Sequence, residues 1–251
     1  MMRFKNKTAL VTGGGRDIGK AIALQLAAEG AHVVINYSQA EESAKATRSA
    51  IVAAEGQASI FKADLRRSAD VKKLKVFLAT DLGNKVDIIV NNAGGIIARK
   101  RLSEQDESFY DAVMDLNFKS LFLVTHALVS LIPSGDAIVN ISSLAARDGG
   151  GTGASLYAAS KGAITTYTRA LAKELGPSGI RVNAVCPGLI STSFHDRFTT
   201  NEVREKVVGS TPLRREGTAE DVAKLVAFLA SDEASFITGA NYDINGGVGM
   251  Y

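Results

Sequence analysis

Short runs rich in valine, isoleucine and alanine recur along the chain: KTALVT, AHVVINY, ASIFKAD, VDIIVNNAG, AIVNISS, IRVNAVCPG and ANYDING. Each is nearly continuous in apolar character, the pattern of a strand covered on both faces. Between them, residues 18–29, 40–54, 69–80, 103–129, 155–175 and 219–230 carry helix-forming composition and helical periodicity. The rhythm is strand, helix, strand throughout. Right-handed crossovers turn it into an α/β fold, a doubly wound parallel sheet of about seven strands with helices on both faces. Any ligand crevice then lies beyond the carboxyl ends of the strands. Residues 189–210, after the sixth run, mix polar and aromatic positions without clear order and read as a mobile lid.

The chain has 251 residues, 46% of them hydrophobic, which is enough for a sizeable core. No linker, repeat or low-complexity segment divides it, so one domain over residues 1–251 is expected. Twenty-nine basic residues against 26 acidic ones leave a formal charge of +3 without any long run of one sign. No nucleic-acid partner is expected from such a balance. No apolar stretch reads as a signal peptide or membrane span, so a soluble, cytoplasmic protein without a membrane partner is expected. Cys186 is the only cysteine, and His32, His126 and His195 are scattered without metal-ligand spacing. No intrachain disulfide is possible and no metal is expected.

In SLYAASKGAITTYTRALAKEL, Tyr157 and Lys161 stand four apart and share one helix face. A phenol with a pKa of about 10 is a poor acid or base at neutral pH unless a nearby cation stabilises its phenolate. Lys161 is that cation if both face a crevice; on spacing alone a half-exposed aromatic beside a solvated lysine is the commoner reading.

The glycine cluster in KTALVTGGGRDIGKAIALQL lies between a predicted strand and a predicted helix, where the backbone can approach a pyrophosphate drawn to the helix N-terminus. With Asn91-Asn92-Ala93-Gly94 after the fourth run and the Tyr157/Lys161 pair, the chain resembles the short-chain dehydrogenase/reductase family, a Rossmann-type dinucleotide-binding fold, over essentially its whole length. The family's glycine motif T-G-x-x-x-G-x-G is matched by Thr12-Gly13-Gly14-Gly15-Arg16-Asp17-Ile18-Gly19, except that Asp17 replaces the middle glycine. A carboxylate there should repel a pyrophosphate unless it points away or pairs with a base such as Arg16.

The resemblance implies a catalytic set of Asn117, Ser143, Tyr157 and Lys161, with Ser142 as the alternative serine. Tyr157 would donate a proton to a carbonyl, Ser143 would hydrogen-bond its oxygen, Lys161 would lower the phenol's pKa and hold the nicotinamide ribose, and Asn117 would anchor a water behind Lys161. Cofactor contacts are implied for Gly13, Gly15, Arg16, Asp17, Ile18, Asn36, Tyr37, Ser38, Asp64, Leu65, Asn91, Ala93, Gly94, Tyr157 and Lys161, and for Pro187, Gly188, Ile190 and Thr192 in VCPGLISTSF. Cys186 reads as a packed strand residue.

An acidic residue at the end of the second strand normally receives the ribose hydroxyls of NAD. Here Asn36-Tyr37-Ser38 stands there and Arg16 is available for a phosphate, so NADPH is expected in preference to NADH. The overall resemblance is to 3-oxoacyl-acyl-carrier-protein reductases. Arg99-Lys100-Arg101 is either a solvated run or a receiver of an anionic substrate; in the latter case Arg99, Arg101 and His195 point to a keto-sugar acid such as the unsaturated uronate from alginate breakdown. A non-catalytic cofactor-binding sensor is the remaining reading. The apolar C-terminal tail, and the family's habit, imply a homotetramer.

Overall fold

The seven apolar runs become β1 (Thr8–Val11), β2 (His32–Tyr37), β3 (Gln57–Lys62), β4 (Ile88–Asn91), β5 (Ala137–Ile141), β6 (Arg181–Pro187) and β7 (Asn241–Ile244). They form one sheet, every pair parallel, in the order β3-β2-β1-β4-β5-β6-β7. The computed structural model describes residues 2–251, apart from the side chains of residues 194, 195 and 197.

The helices are α1 (Asp17–Ala28), α2 (Glu41–Ala53), α3 (Ser68–Asp81), α4 (Glu107–Met114), α5 (Ser120–Leu128), α6 (Ala145–Asp148), α7 (Ser155–Leu175), α8 (Ser193–Phe198), α9 (Asn201–Ser210) and α10 (Ala219–Ala230). Successive strand residues point to opposite faces, and both faces are covered. Val11, Val33, Ile35 and Val90 meet Ile22 and Leu26 of α1, Ile51 of α2 and Val226 of α10. On the other side Leu10, Val34, Ile89 and Ile138 meet Leu74 and Leu78 of α3, Leu128 of α5 and Leu171 of α7. This is why the strands read as unbroken apolar runs. Each such side chain contributes about 1.5–3 kcal/mol by leaving water.

Three sequence expectations change. The helix expected over 103–129 starts at Glu107, because the Asp106 carboxylate accepts the Phe109 N–H at 2.7 Å and caps it. It is also interrupted by a π-helical turn, Asp115–Lys119, that carries Asn117. The whole run 107–131 is long and apolar enough to cross a membrane by length and composition, contrary to the sequence reading. Its Val113, Leu121, Val124 and Leu128 are buried in this fold, the reason for its apolar character. Finally, the segment read as an unordered lid forms α8 and α9. The Arg204 guanidinium joins them to the body, donating to Asp196 at 2.6 Å and to Glu216 at 2.6 and 2.7 Å. Ion pairs of this kind leave no trace in local periodicity.

Candidate active site

The carboxyl ends of the strands open into one cleft of about 670 Å³. Its lining includes Gly13, Gly15, Arg16, Asp17, Ile18, Asn36, Tyr37, Ser38, Asp64, Leu65, Ala93, Gly94, Pro187, Gly188, Ile190 and Thr192, together with Ser143, Tyr157, Lys161 and Arg99. Residues of the expected site as far apart as Gly13 and Thr192, 179 positions along the chain, thus share one crevice.

The glycine turn is fastened to the segment after β4. The Thr12 hydroxyl oxygen accepts the N–H groups of Asn92 and Ala93, each at 2.9 Å, and the Asn92 amide donates to the carbonyls of Thr12 and Gly13 at 2.9 and 3.2 Å. A Cβ at Gly19 would lie 2.3 Å from the Gly13 oxygen and 2.6 Å from Asn92 Nδ2, so α1 starts this close to the turn only with glycine there. Behind the turn, Asn36 accepts from the Gly13 N–H at 3.4 Å and donates to the Phe61 and Ala63 carbonyls at 3.3 and 3.2 Å. A bare backbone turn opening onto a helix N-terminus is a cradle for a pyrophosphate, so the residues present fit a dinucleotide.

Asn91 is a correction. It ends β4 with its side chain buried, donating to Thr125 at 3.1 Å and to Asn140 at 2.9 Å. It is absent from the cleft lining, and the neighbouring Asn92 takes that place. Asn140 in turn donates to Thr168 at 2.9 Å, so a buried polar chain ties β4 and β5 to α5 and α7.

Tyr157 and Lys161 lie on the first turns of α7, which extends under the sheet. The Tyr157 phenol is hydrogen-bonded to Ser143. Burial holds it above its ordinary pKa, opposed by that bond and by the charge of Arg99. Lys161 is buried, its ammonium donating to the Ile141 carbonyl at 2.8 Å and standing 5.8 Å from the centre of the Tyr157 ring. Burial pulls its pKa down to about 8. Ser142 is occupied elsewhere, donating to the Lys161 carbonyl at 2.9 Å. Of the two serines, Ser143 is the one bonded to the phenol.

Asn117 does not line the cleft. From the π turn its amide donates to the Gly95 and Val113 carbonyls and its oxygen accepts the Gly95 N–H at 2.8 Å. A Cβ at Gly94 would meet Asn117 Oδ1 at 2.7 Å and Lys161 Nζ at 3.2 Å, so only glycine lets these two groups approach the same space. A regular helix period gives no sign of that turn.

The basic triplet divides. Arg99 lines the cleft, its Nε donating to the Phe198 carbonyl at 3.2 Å and its Nη1 to that of Thr152 at 3.3 Å. Lys100 lies over the Phe109 ring, 4.7 Å from its centre. Arg101 is exposed outside the cleft, its N–H bonded to Glu104, which corrects its expected substrate contact. The His195 side chain falls outside the described residues. Cys186 is fully buried and burial raises its thiol pKa, the state of a packing residue. Asp64 is turned toward Arg66, with two contacts of 2.8 Å that lower its pKa. No cluster of potential metal ligands occurs among the described residues.

A parallel seven-stranded sheet with a glycine turn, an Asn-Ala-Gly segment and a Ser/Tyr/Lys group at the same edge defines a nucleotide-dependent oxidoreductase. The chain belongs to the short-chain dehydrogenase/reductase family. The family model described as enoyl-(acyl carrier protein) reductase matches residues 13–249. A 3-oxoacyl-[acyl-carrier-protein] reductase of Synechocystis is 37% identical over 100% of both chains. A short chain dehydrogenase/reductase of Cryptosporiopsis is 37% identical over 98% of this chain and 96% of its own. Among solved structures, a short chain dehydrogenase of Burkholderia cenocepacia in complex with NADP superposes with a TM-score of 0.91, at 36% identity over 98% of this chain and 99% of that one.

Proposed function

We propose that the protein is an NADPH-dependent carbonyl reductase that uses Tyr157 as proton donor, with a reaction like that of 3-oxoacyl-acyl-carrier-protein reductases. The observation that carries this reading is the bonding of the Tyr157 phenol to Ser143 beside buried Lys161 in the cleft. The similarity to a 3-oxoacyl-[acyl-carrier-protein] reductase and to an NADP-complexed dehydrogenase supports it. Gly13, Gly15 and Ile18 would hold the pyrophosphate, Arg16 with Ser38 the extra phosphate, Leu65 the adenine, and Pro187, Gly188 and Thr192 the nicotinamide. The bound nicotinamide supplies the hydride.

The raised pKa of Tyr157 keeps the phenol protonated at neutral pH, which suits an acid that gives its proton to a carbonyl oxygen. Ser143 offers that oxygen a hydrogen bond as charge develops on it. Lys161, protonated at pH 7 with a pKa of about 8, stabilises the phenolate left behind. Asn117 acts through position, fixing the Gly94–Gly95 backbone beside the ammonium.

Arg99 favours a second reading of the substrate, a keto acid such as a keto-sugar acid. Its guanidinium faces the cleft near enough to influence Tyr157, and no carboxylate pairs with it among the described residues. A cytoplasmic homotetramer completes the proposal. Phe236, Met250 and Tyr251 are exposed beside the edge strand β7, apolar groups that a symmetry mate would cover. NADPH oxidation with 3-oxoacyl thioesters, keto-sugar acids and neutral ketones tests the reading. Tyr157→Phe is expected to abolish turnover and leave NADPH binding nearly intact; more than a few per cent of residual activity would overturn the role of Tyr157.

A further inference from the structure

The residue that departs from the family's glycine motif makes a contact that a glycine cannot. Asp17 opens α1 with φ at 51°, in the left-handed region that glycine favours and aspartate tolerates. Its carboxylate accepts two hydrogen bonds from Ser193, from the backbone N–H at 3.0 Å and from the hydroxyl at 2.6 Å. Arg16 Nε lies farther off, at 3.8 Å. The bonded pair spans the cleft: Asp17 belongs to its glycine-turn wall, and Ser193, the first residue of α8, to the wall that follows β6. The far end of α8 is also fastened, since Arg99 donates to the Phe198 carbonyl.

We propose that Asp17 is a positioning residue that straps α8 across the pyrophosphate end of the crevice, so that NADPH leaves only after the Asp17–Ser193 contact opens. The inference rests on the cofactor assignment made above. It accounts for a carboxylate beside a phosphate site: both oxygens are engaged by Ser193, and the charge is directed at the lid. It also makes a family glycine position specific to this chain, because removing the side chain restores the glycine and removes the strap together.

Repulsion and strapping predict opposite signs. If Asp17 merely repels the pyrophosphate, Asp17→Gly tightens NADPH binding and slows its release. If Asp17 is a strap, release becomes faster, by about tenfold or more for the loss of a charge-assisted pair of hydrogen bonds. The measurement is stopped-flow displacement of fluorescent NADPH by excess NADP, without any carbonyl substrate. Ser193→Ala keeps the backbone bond and should accelerate release by a smaller factor. The double variant should release no faster than Asp17→Gly alone, since both changes break one contact. Glycine suits a φ of 51°, so Asp17→Gly is expected to fold; a circular dichroism spectrum like the parent's checks it. Release that is unchanged or slower in Asp17→Gly, or single effects that multiply in the double variant, overturns the strap while leaving the reductase reading intact. A parent that binds neither NADPH nor NADH overturns both.

Discussion

Replacing Lys161 by methionine should make the protein more stable and inactive at once. Lys161 is 3% exposed, and its ammonium bonds one carbonyl, that of Ile141. Burial brings its pKa from 10.5 to about 8, so keeping it protonated in the fold costs about 3 kcal/mol at pH 7. That cost is present in full below pH 8, where folded and unfolded chains both carry the charge. It falls to about 2 kcal/mol at pH 9 and vanishes above about pH 10.5, as the unfolded lysine also loses its proton. Methionine fills a similar volume without the charge, but leaves the Ile141 oxygen without this donor, a loss of about 1 kcal/mol. The net gain is about 2 kcal/mol at pH 7, or about 4–8 °C in Tm for a chain of this size. Thermal unfolding followed by circular dichroism at pH 7 and pH 10 measures it. A variant no more stable than the parent at pH 7, or a gain that does not shrink toward pH 10, would refute the claim that Lys161 is held charged against burial.

Arg16→Ala should weaken NADPH and spare NADH; because the side chain is 72% exposed, the effect belongs near the lower end of a charge-assisted contact, about tenfold in affinity. Equal losses for both cofactors in fluorescence titration would remove its phosphate role. Arg99→Gln should raise KM for an anionic ketone by about tenfold and change a neutral ketone little, with added salt acting in the same direction. Steady-state kinetics on one substrate of each kind decides it, and equal KM values in parent and variant for the anionic one would refute the contact. Removing residues 248–251 should weaken assembly measured by light scattering at micromolar concentration; a monomeric parent contradicts the tetramer, and an unaltered tetramer after truncation takes the tail out of the interface.

The strands and most helices are legible in the sequence because burial on two faces and helical periodicity are local signals. Helix α7 runs over Ser155–Leu175 and α10 over Ala219–Ala230, the spans the periodicity predicts. What periodicity does not carry are contacts between distant segments. Asp17 meets Ser193 across 176 positions, so its departure from the glycine motif is visible in the sequence while its partner is not. Asn91 and Asn92 are adjacent and chemically identical; which one faces the cleft depends on where β4 ends and the side-chain alternation stops. The triplet Arg99-Lys100-Arg101 divides for a similar reason, one side chain bridging the cleft walls, one covering Phe109, one in solvent.

β1 lies inside the sheet, between β2 and β4, so its two edges are covered at different times as the chain is made. Leu10 is flanked by Val34 on one side and Ile89 on the other, so the first strand made has an open edge until β4 has been synthesised. As a chain emerges N-terminal end first, β3, β2, β1 and β4 can assemble into a four-stranded sheet while the segment bearing Ser143, Tyr157 and Lys161 is still unmade. The half that would grip a nucleotide therefore exists before the half that would use it. β4 at that stage presents an unpaired edge that β5 covers in the finished fold. A pause in synthesis between residues 91 and 137 would prolong that exposure.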